Sequence, residues 1–185
     1  MPELIWLITG CSSGLGEALT QAVLARGDKV IATARSPVDR LKKLENAGAA
    51  VLELDVTATP AALGAVVEKA LEIYGAIDVL VPNAGYGEMI YAEEATSDIW
   101  TRQLTVNFYG VTNLVASLLP HFRSRKTGTI AFMNSIYAHV STPAGGPYAV
   151  SKHAIAAYSK TLAAEIGEFG IKPIIFDMGF IRTDS

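Results

Sequence analysis

Tyr148 and Lys152 stand four residues apart, thirteen residues after Ser135, and all three follow a glycine-rich stretch, Gly10-Cys11-Ser12-Ser13-Gly14-Leu15-Gly16. On a helix, a Tyr-x-x-x-Lys pair places a phenol and an ammonium one turn apart on the same face. A free phenol, with a pKa near ~10, is a reluctant base at neutral pH. A neighbouring ammonium favours the phenolate and brings proton transfer within reach. Ser135 can hydrogen-bond the same substrate oxygen and hold it close to the phenol. The glycine stretch follows an apolar run, Leu4-Ile5-Trp6-Leu7-Ile8-Thr9, and leads into a helical segment from Glu17 to Arg26. Strand, glycine turn and helix in that order present backbone N–H groups and a helix N-terminus to a pyrophosphate. One motif holds a dinucleotide and the other moves a proton beside it.

The elements that must position these groups alternate along nearly the whole chain. Candidate strands are Leu4–Thr9, Lys29–Ala34, Ala50–Leu54, Ile77–Val81, Gly128–Asn134 and Lys172–Asp177; candidate helices are Gly14–Arg26, Val38–Ala47, Pro60–Tyr74, Ser97–Leu119 and Gly146–Phe169. The strands read as continuous apolar runs without in/out alternation, which predicts a sheet covered on both faces. The alternation predicts an α/β fold, a Rossmann-type doubly wound parallel sheet in a single domain over residues 1–185. In such sheets ligands bind beyond the carboxyl ends of the strands. Gly10, Asn83, Ser135 and Gly179 all fall just past predicted strand ends and so converge on one rim.

Composition narrows the partners. A formal charge of -3 gives no electrostatic case for nucleic acid or an anionic membrane. One cysteine excludes an internal disulfide, and no Cys/His spacing predicts a metal site. The uncharged stretch from Gln103 to Phe122 carries Thr105, Asn107, Thr112, Asn113 and Ser117 and reaches Pro120-His121, which predicts a buried helix and no membrane span. Without a basic n-region or a long apolar h-region at the N-terminus, a cytoplasmic location is expected. After the second strand, where an acid usually bonds the ribose 2′-hydroxyl, the chain has Ala34-Arg35. A guanidinium in that place predicts a 2′-phosphate, hence NADP(H) ahead of NAD(H), against the alternative of an ordinary solvated arginine. His121 near a helix end reads as a capping cation, and His153 as facing away from the site.

Taken together, these residues closely resemble the classical short-chain dehydrogenases/reductases, and the resemblance spans essentially the whole chain. Thr9, Gly10, Ser12, Ser13, Gly14, Leu15 and Gly16 lie in a stretch similar to that family's cofactor loop. Asp55-Val56 resembles the acidic position that contacts adenine, and Asn83-Ala84-Gly85 resembles the turn that packs the sheet and touches the adenine ribose. Asn107, Ser135, Tyr148 and Lys152 match the family's catalytic tetrad in order and spacing. Met178-Gly179-Phe180-Ile181-Arg182-Thr183 resembles the Pro-Gly-x-[Val/Ile]-x-Thr segment that holds the nicotinamide, with Gly179, Ile181 and Thr183 as contacts. Met178 stands where the family has proline, and Pro82 where it often has asparagine.

The resemblance implies an oxidoreductase interconverting a small-molecule carbonyl and a secondary alcohol. Lys152 would contact the nicotinamide ribose, and Asn107 would hold a relay water. It also implies a homodimer through the helices around 97–119 and 146–169. Family members continue past the position of Ser185 with a helical lid, another helix and a seventh strand. A chain ending there is expected to be a truncated form with an exposed sixth strand, binding cofactor better than it turns over. Two rival readings follow: a dinucleotide-binding module with impaired turnover, or a structural partner that associates through its long helices.

Overall fold

In the computed structural model, which describes residues 2–35, 38–179 and 181, strand and helix alternate from end to end. The described residues form strands β1 (Ile5–Ile8), β2 (Lys29–Ala34), β3 (Ala50–Glu53), β4 (Val79–Val81), β5 (Gly128–Ser135) and β6 (Ile171–Met178). They make one parallel sheet in the order β3-β2-β1-β4-β5-β6. The helices are α1 (Gly14–Ala25), α2 (Lys42–Asn46), α3 (Pro60–Tyr74), α4 (Ser97–Leu104), α5 (Gly110–Arg125) and α6 (Gly146–Ile166).

The continuous apolar strands serve two faces at once. Leu7, Ile31, Leu80 and Ile130 share a core with Leu63 of α3, Leu114 and Leu118 of α5, and Ile155 and Leu162 of α6. Their strand neighbours Ile8, Val30, Val79 and Ala131 share a second core with Val23 of α1 and Leu44 of α2. Each fully buried Leu or Ile here contributes about 1.5–3 kcal/mol of transfer free energy, so both helical layers are held firmly. Strand order reverses between β1 and β4, which opens the crevice above their carboxyl ends.

Local chemistry sets the ends of α3 where the sequence places them. Thr59 caps it by accepting from the Ala62 N–H at 3.3 Å, Pro60 occupies the first turn, and Gly75 ends it at φ 78°. The helix expected over Ser97–Leu119 differs in two ways. It contains a π-helical turn at Thr105–Tyr109 between α4 and α5, and it continues to Arg125. The π turn swings Asn107 inward onto tertiary partners, whose hydrogen bonds offset the poorer helical geometry. Pro120 fails to end the helix because it lies on the exposed side, where water serves the carbonyl left without a donor. The expected Val38–Ala47 helix is a 3-10 turn, Val38–Leu41, followed by α2, and the segment Gly167–Phe169 after α6 is also 3-10.

His121 corrects a further expectation. Inside α5, its Nε2 lies 3.2 Å from the Ile77 N–H, and burial together with Arg125 lowers its pKa. The neutral ring accepts from that N–H, and Arg125 supplies the cation, donating to the Ile77 carbonyl at 2.8 Å. No helix among the described residues is long and apolar enough to cross a membrane.

Candidate active site

The glycine loop is built by steric exclusion. Gly10 sits at φ +70°, and a Cβ there would come within 2.8 Å of Ala84 Cα. A Cβ on Gly16 would lie 2.3 Å from the Gly10 carbonyl oxygen and 2.6 Å from Asn83 Nδ2. Loop, α1 and the turn after β4 therefore interlock. Asn83 Nδ2 donates to the carbonyls of Thr9 at 2.8 Å and Gly10 at 3.2 Å, and the Ala84 N–H donates to Thr9 Oγ1 at 2.9 Å. Thr9 is buried, and by accepting from Ala84 its hydroxyl braces the loop from behind. Cys11 is also beneath the loop, where burial pushes its thiol pKa up and leaves it a poor nucleophile.

Ser13 precedes α1 in extended conformation and makes no side-chain cap, leaving the first amides of the helix to face the cleft. That cleft has a volume of about 1180 Å³, beyond the ~300–1,000 Å³ common for drug-sized ligands. Its lining runs from Ser12–Gly16 past Asp55, Val56 and Asn83–Gly85 to Tyr86 and Glu88. Asp55 Oδ1 accepts from the Thr57 N–H and hydroxyl at 2.9 and 2.8 Å, which fixes the loop that presents its carboxylate. A cavity of this volume, lined by the first residues of α1, suits a dinucleotide.

Two guanidiniums border the same cleft. Arg35 and Arg40 both line the cleft and make no ion pair among the described residues. The nearby ammonium groups are already matched, Lys42 by Glu45 at 2.7 Å and Lys43 by Glu17 at 2.5 Å. Arg40 was not singled out in the sequence; the cationic run from Arg35 to Lys43 was visible there, but not which members would stay unpaired.

Beside the Tyr86–Glu88 segment, β5 delivers Ser135 and the first turns of α6 deliver Tyr148 and Lys152. The Tyr137 N–H donates to Ser135 Oγ at 3.3 Å. Lys152 Nζ donates to the Met133 carbonyl at 2.8 Å and lies 5.6 Å from the centre of the Tyr148 ring. Burial lowers the Lys152 pKa from 10.5 to about 8. Gly87 backs the phenol so closely that a Cβ would sit 3.2 Å from Tyr148 Cδ2. Gly87 lies between Tyr86 and Glu88, which both line the cleft, so the Tyr148 ring packs against the segment that walls the cavity of the glycine loop.

Asn107 ties the cleft wall to α6. Its Nδ2 donates to the Tyr86 carbonyl at 2.8 Å and to Ser151 Oγ at 3.1 Å, while Oδ1 accepts from the Tyr86 N–H at 3.1 Å. Ser151 in turn donates to the Tyr148 carbonyl at 2.7 Å. One turn earlier, Gln103 accepts from the Glu88 N–H at 2.9 Å and donates to the Tyr86 carbonyl at 2.7 Å. Gln103 and Ser151 are fully buried and went unremarked in the sequence. The available signal for Gln103 was its position four residues before Asn107, on the same helical face. Gly179 and Ile181 follow β6 and are exposed, whereas Thr183 lies outside the described residues. His153 is exposed on α6, with Nδ1 2.9 Å from the Ala149 carbonyl, and takes no part in the site.

Comparison with known proteins places these features in context. The family model described as short chain dehydrogenase matches residues 5–185. An oxidoreductase of Botryotinia fuckeliana is 37% identical over 183 residues, 97% of this chain and 66% of the relative. A 3-ketodihydrosphingosine reductase of Bacteroides thetaiotaomicron is 35% identical over 98% of this chain and 65% of its own length. The chain thus spans about two thirds of these relatives. A short-chain dehydrogenase structure from Streptomyces avermitilis superposes with a TM-score of 0.94 at 35% identity, covering 100% of this chain and 68% of the other. Another from Burkholderia phymatum, in complex with NAD, gives 0.90 at 26% identity, covering 98% and 67%.

Proposed function

Because the chain belongs to the short-chain dehydrogenase family, we propose that it is an oxidoreductase that interconverts a small-molecule carbonyl and a secondary alcohol, with NADP(H) preferred over NAD(H). The observation that carries this reading is the cleft lined by helix amides and by two guanidiniums without an ion pair among the described residues, with Tyr148 beside Lys152 packed against Gly87 of the segment that walls it. A nicotinamide bound there supplies or accepts the hydride. The side chains supply position and the proton.

Tyr148 gives its phenolic proton to the carbonyl oxygen in reduction and recovers it from the alcohol in oxidation. Lys152 retains its ammonium for the most part at neutral pH, since its lowered value of about 8 still lies above 7. That charge stands beside the Tyr148 ring, 5.6 Å from its centre. Lys152 also serves the ribose hydroxyls of the nicotinamide half. Ser135 Oγ accepts from the Tyr137 N–H, which leaves its own O–H free to donate to the substrate oxygen. Asn107 has committed both Nδ2 protons and one lone pair of Oδ1, so a relay water would take the remaining lone pair.

The preference for a 2′-phosphate follows from charge. Arg35 and Arg40 face the cleft with Glu53 as an opposing carboxylate in the same lining, a balance that favours an added anion. Asp55 and Val56 take the adenine side, and Gly179, Ile181 and Thr183 the nicotinamide side. The protein acts as a homodimer through the helices around 97–119 and 146–169, a reading supported by the exposed Tyr109 and Val150. A cytoplasmic setting belongs to the same proposal, in keeping with a single, buried cysteine thiol.

The test is to titrate NADPH and NADH by quenching of tryptophan fluorescence, then follow NADPH consumption with a panel of ketones and aldehydes. Tighter NADPH binding and turnover of at least one carbonyl are expected. Saturable binding without turnover would favour a dinucleotide-binding module, and absence of binding would refute the proposal.

A further inference from the structure

Tyr137 touches both ends of the proton-transfer machinery. It sits two residues past Ser135 in a 3-10 turn, Ile136–Ala138, and its own N–H donates to Ser135 Oγ at 3.3 Å. Its ring meets the Tyr148 ring edge-on, with centroids 5.4 Å apart and planes at 64°. Its hydroxyl accepts from Thr142 Oγ1 at 3.0 Å. A Cβ on Gly145 would lie 2.9 Å from Tyr137 Cε1, so the glycine there makes room for the ring. Only 8% of Tyr137 is exposed.

We infer that Tyr137 is the positioning residue of this site: its amide aims Ser135, its ring holds Tyr148, and its hydroxyl anchors the Thr142–Gly145 loop beside them. The inference rests on the reading of Tyr148 as proton donor given above. An edge-on aromatic pair restricts rotation and tilt of both rings, beyond the area it buries. A phenol that must meet a substrate oxygen at hydrogen-bond distance gains from that restriction, because small displacements are costly in rate. The loop it anchors is held on its other side as well. Ala144 lies at φ 62°, an unfavourable conformation for a residue with a Cβ, and its carbonyl accepts from the Ile90 N–H at 2.7 Å. Ile90 follows the Tyr86–Glu88 wall of the cofactor cleft, so the loop spans from Tyr137 to the cleft wall. Tyr137 is thereby placed to pass the position of this loop to Ser135 and Tyr148.

The experiment compares wild type with Tyr137→Leu, Tyr137→Phe, Thr142→Val and the Tyr137→Phe/Thr142→Val double variant. For each, kcat, KM for a ketone that the wild type accepts, NADPH affinity and melting temperature are measured. Tyr137→Leu removes the ring and should lower kcat by roughly 10- to 100-fold while leaving NADPH affinity within about twofold. Tyr137→Phe keeps the ring and removes the hydroxyl that Thr142 bonds, so kcat is restored and KM rises by roughly 2- to 5-fold. Thr142→Val breaks the same bond, so the double variant should cost less than the sum of the two singles.

A folded Tyr137→Leu protein with wild-type kcat would overturn the inference. Were that variant not to fold, additive effects of Tyr137→Phe and Thr142→Val would overturn it instead. The ring signals of Tyr148 in the NMR spectrum, identified by their loss in Tyr148→Phe, separate this failure from failure of the functional reading. Should no carbonyl be reduced by the wild type, broadened or split Tyr148 signals in Tyr137→Leu still support positioning, and a sharp single set refutes it.

Discussion

Lys152→Met should stabilise the protein while destroying its chemistry. Burial lowers the Lys152 pKa from 10.5 to about 8. At about 1.4 kcal/mol for each tenfold change in proton affinity, enclosing the ammonium costs the fold roughly 3 kcal/mol at neutral pH. Removing the side chain also removes its bond to the Met133 carbonyl, at 2.8 Å. Leaving that acceptor unpaired takes back about 1–2 kcal/mol. A methionine fills similar volume without charge, so the net gain is about 1–2 kcal/mol, or roughly 2–8 °C in melting temperature.

The pH dependence supplies the sign. Below pH 8 the lysine is charged in both folded and unfolded chains, and the penalty is present in full. Between about 8 and 10.5 the folded protein has released its proton while the unfolded chain keeps it, so wild-type stability from this group rises with pH. The advantage of Lys152→Met should therefore be largest near neutrality and shrink as pH approaches 10.5. Thermal unfolding of the ligand-free proteins by circular dichroism, at neutral pH and again above pH 9, measures this. A melting temperature several degrees below wild type at neutral pH, or a difference that does not change with pH, would refute the reasoning. NADPH affinity and turnover should both fall in the same variant.

Other outcomes follow from the same geometry. Arg35→Ser and Arg40→Ser should each weaken NADPH binding by about tenfold at low salt, with NADH almost unaffected, as competing titrations would show; equal losses for both cofactors would contradict a 2′-phosphate site. Gly16→Ala forces a Cβ to 2.3 Å from the Gly10 carbonyl oxygen, so unfolding by denaturant should reveal a loss of about 1–3 kcal/mol and NADPH binding should weaken. Sedimentation should find a dimer, and Tyr109→Glu with Val150→Glu should shift it toward monomer; a dimer unmoved by both would place the interface elsewhere.

The sequence was most legible where a local signal and the fold agree. Thr59, Pro60 and Gly75 bound α3 by capping and backbone preference alone, and the apolar run of β2 is buried as its continuity predicts. The glycine loop was readable because steric demand at Gly10 and Gly16 admits no other residue. What stayed hidden depends on partners far away in sequence. The π turn at Asn107 exists because Tyr86 and Ser151 reward it, and nothing between Thr105 and Tyr109 signals it. The continuation of α5 through Pro120 depends on which side of the helix faces water. Arg40 became informative only once Lys42 and Lys43 were seen to be neutralised by Glu45 and Glu17. Tyr137 carries no local signal in the sequence, and only the packing of its ring against Tyr148 marks it.

The most direct test of the account is a single-turnover reaction with NADPH deuterated at its transferable position, run with wild type and Tyr148→Phe on matched protein. Wild type should deliver deuterium to the former carbonyl carbon of a ketone. Tyr148→Phe should bind NADPH with the same affinity yet transfer deuterium about 10²- to 10⁴-fold more slowly, the share that general acid catalysis supplies. Transfer at the wild-type rate by Tyr148→Phe would contradict the assignment of Tyr148 as the proton donor and, with it, the mechanism proposed for this cleft.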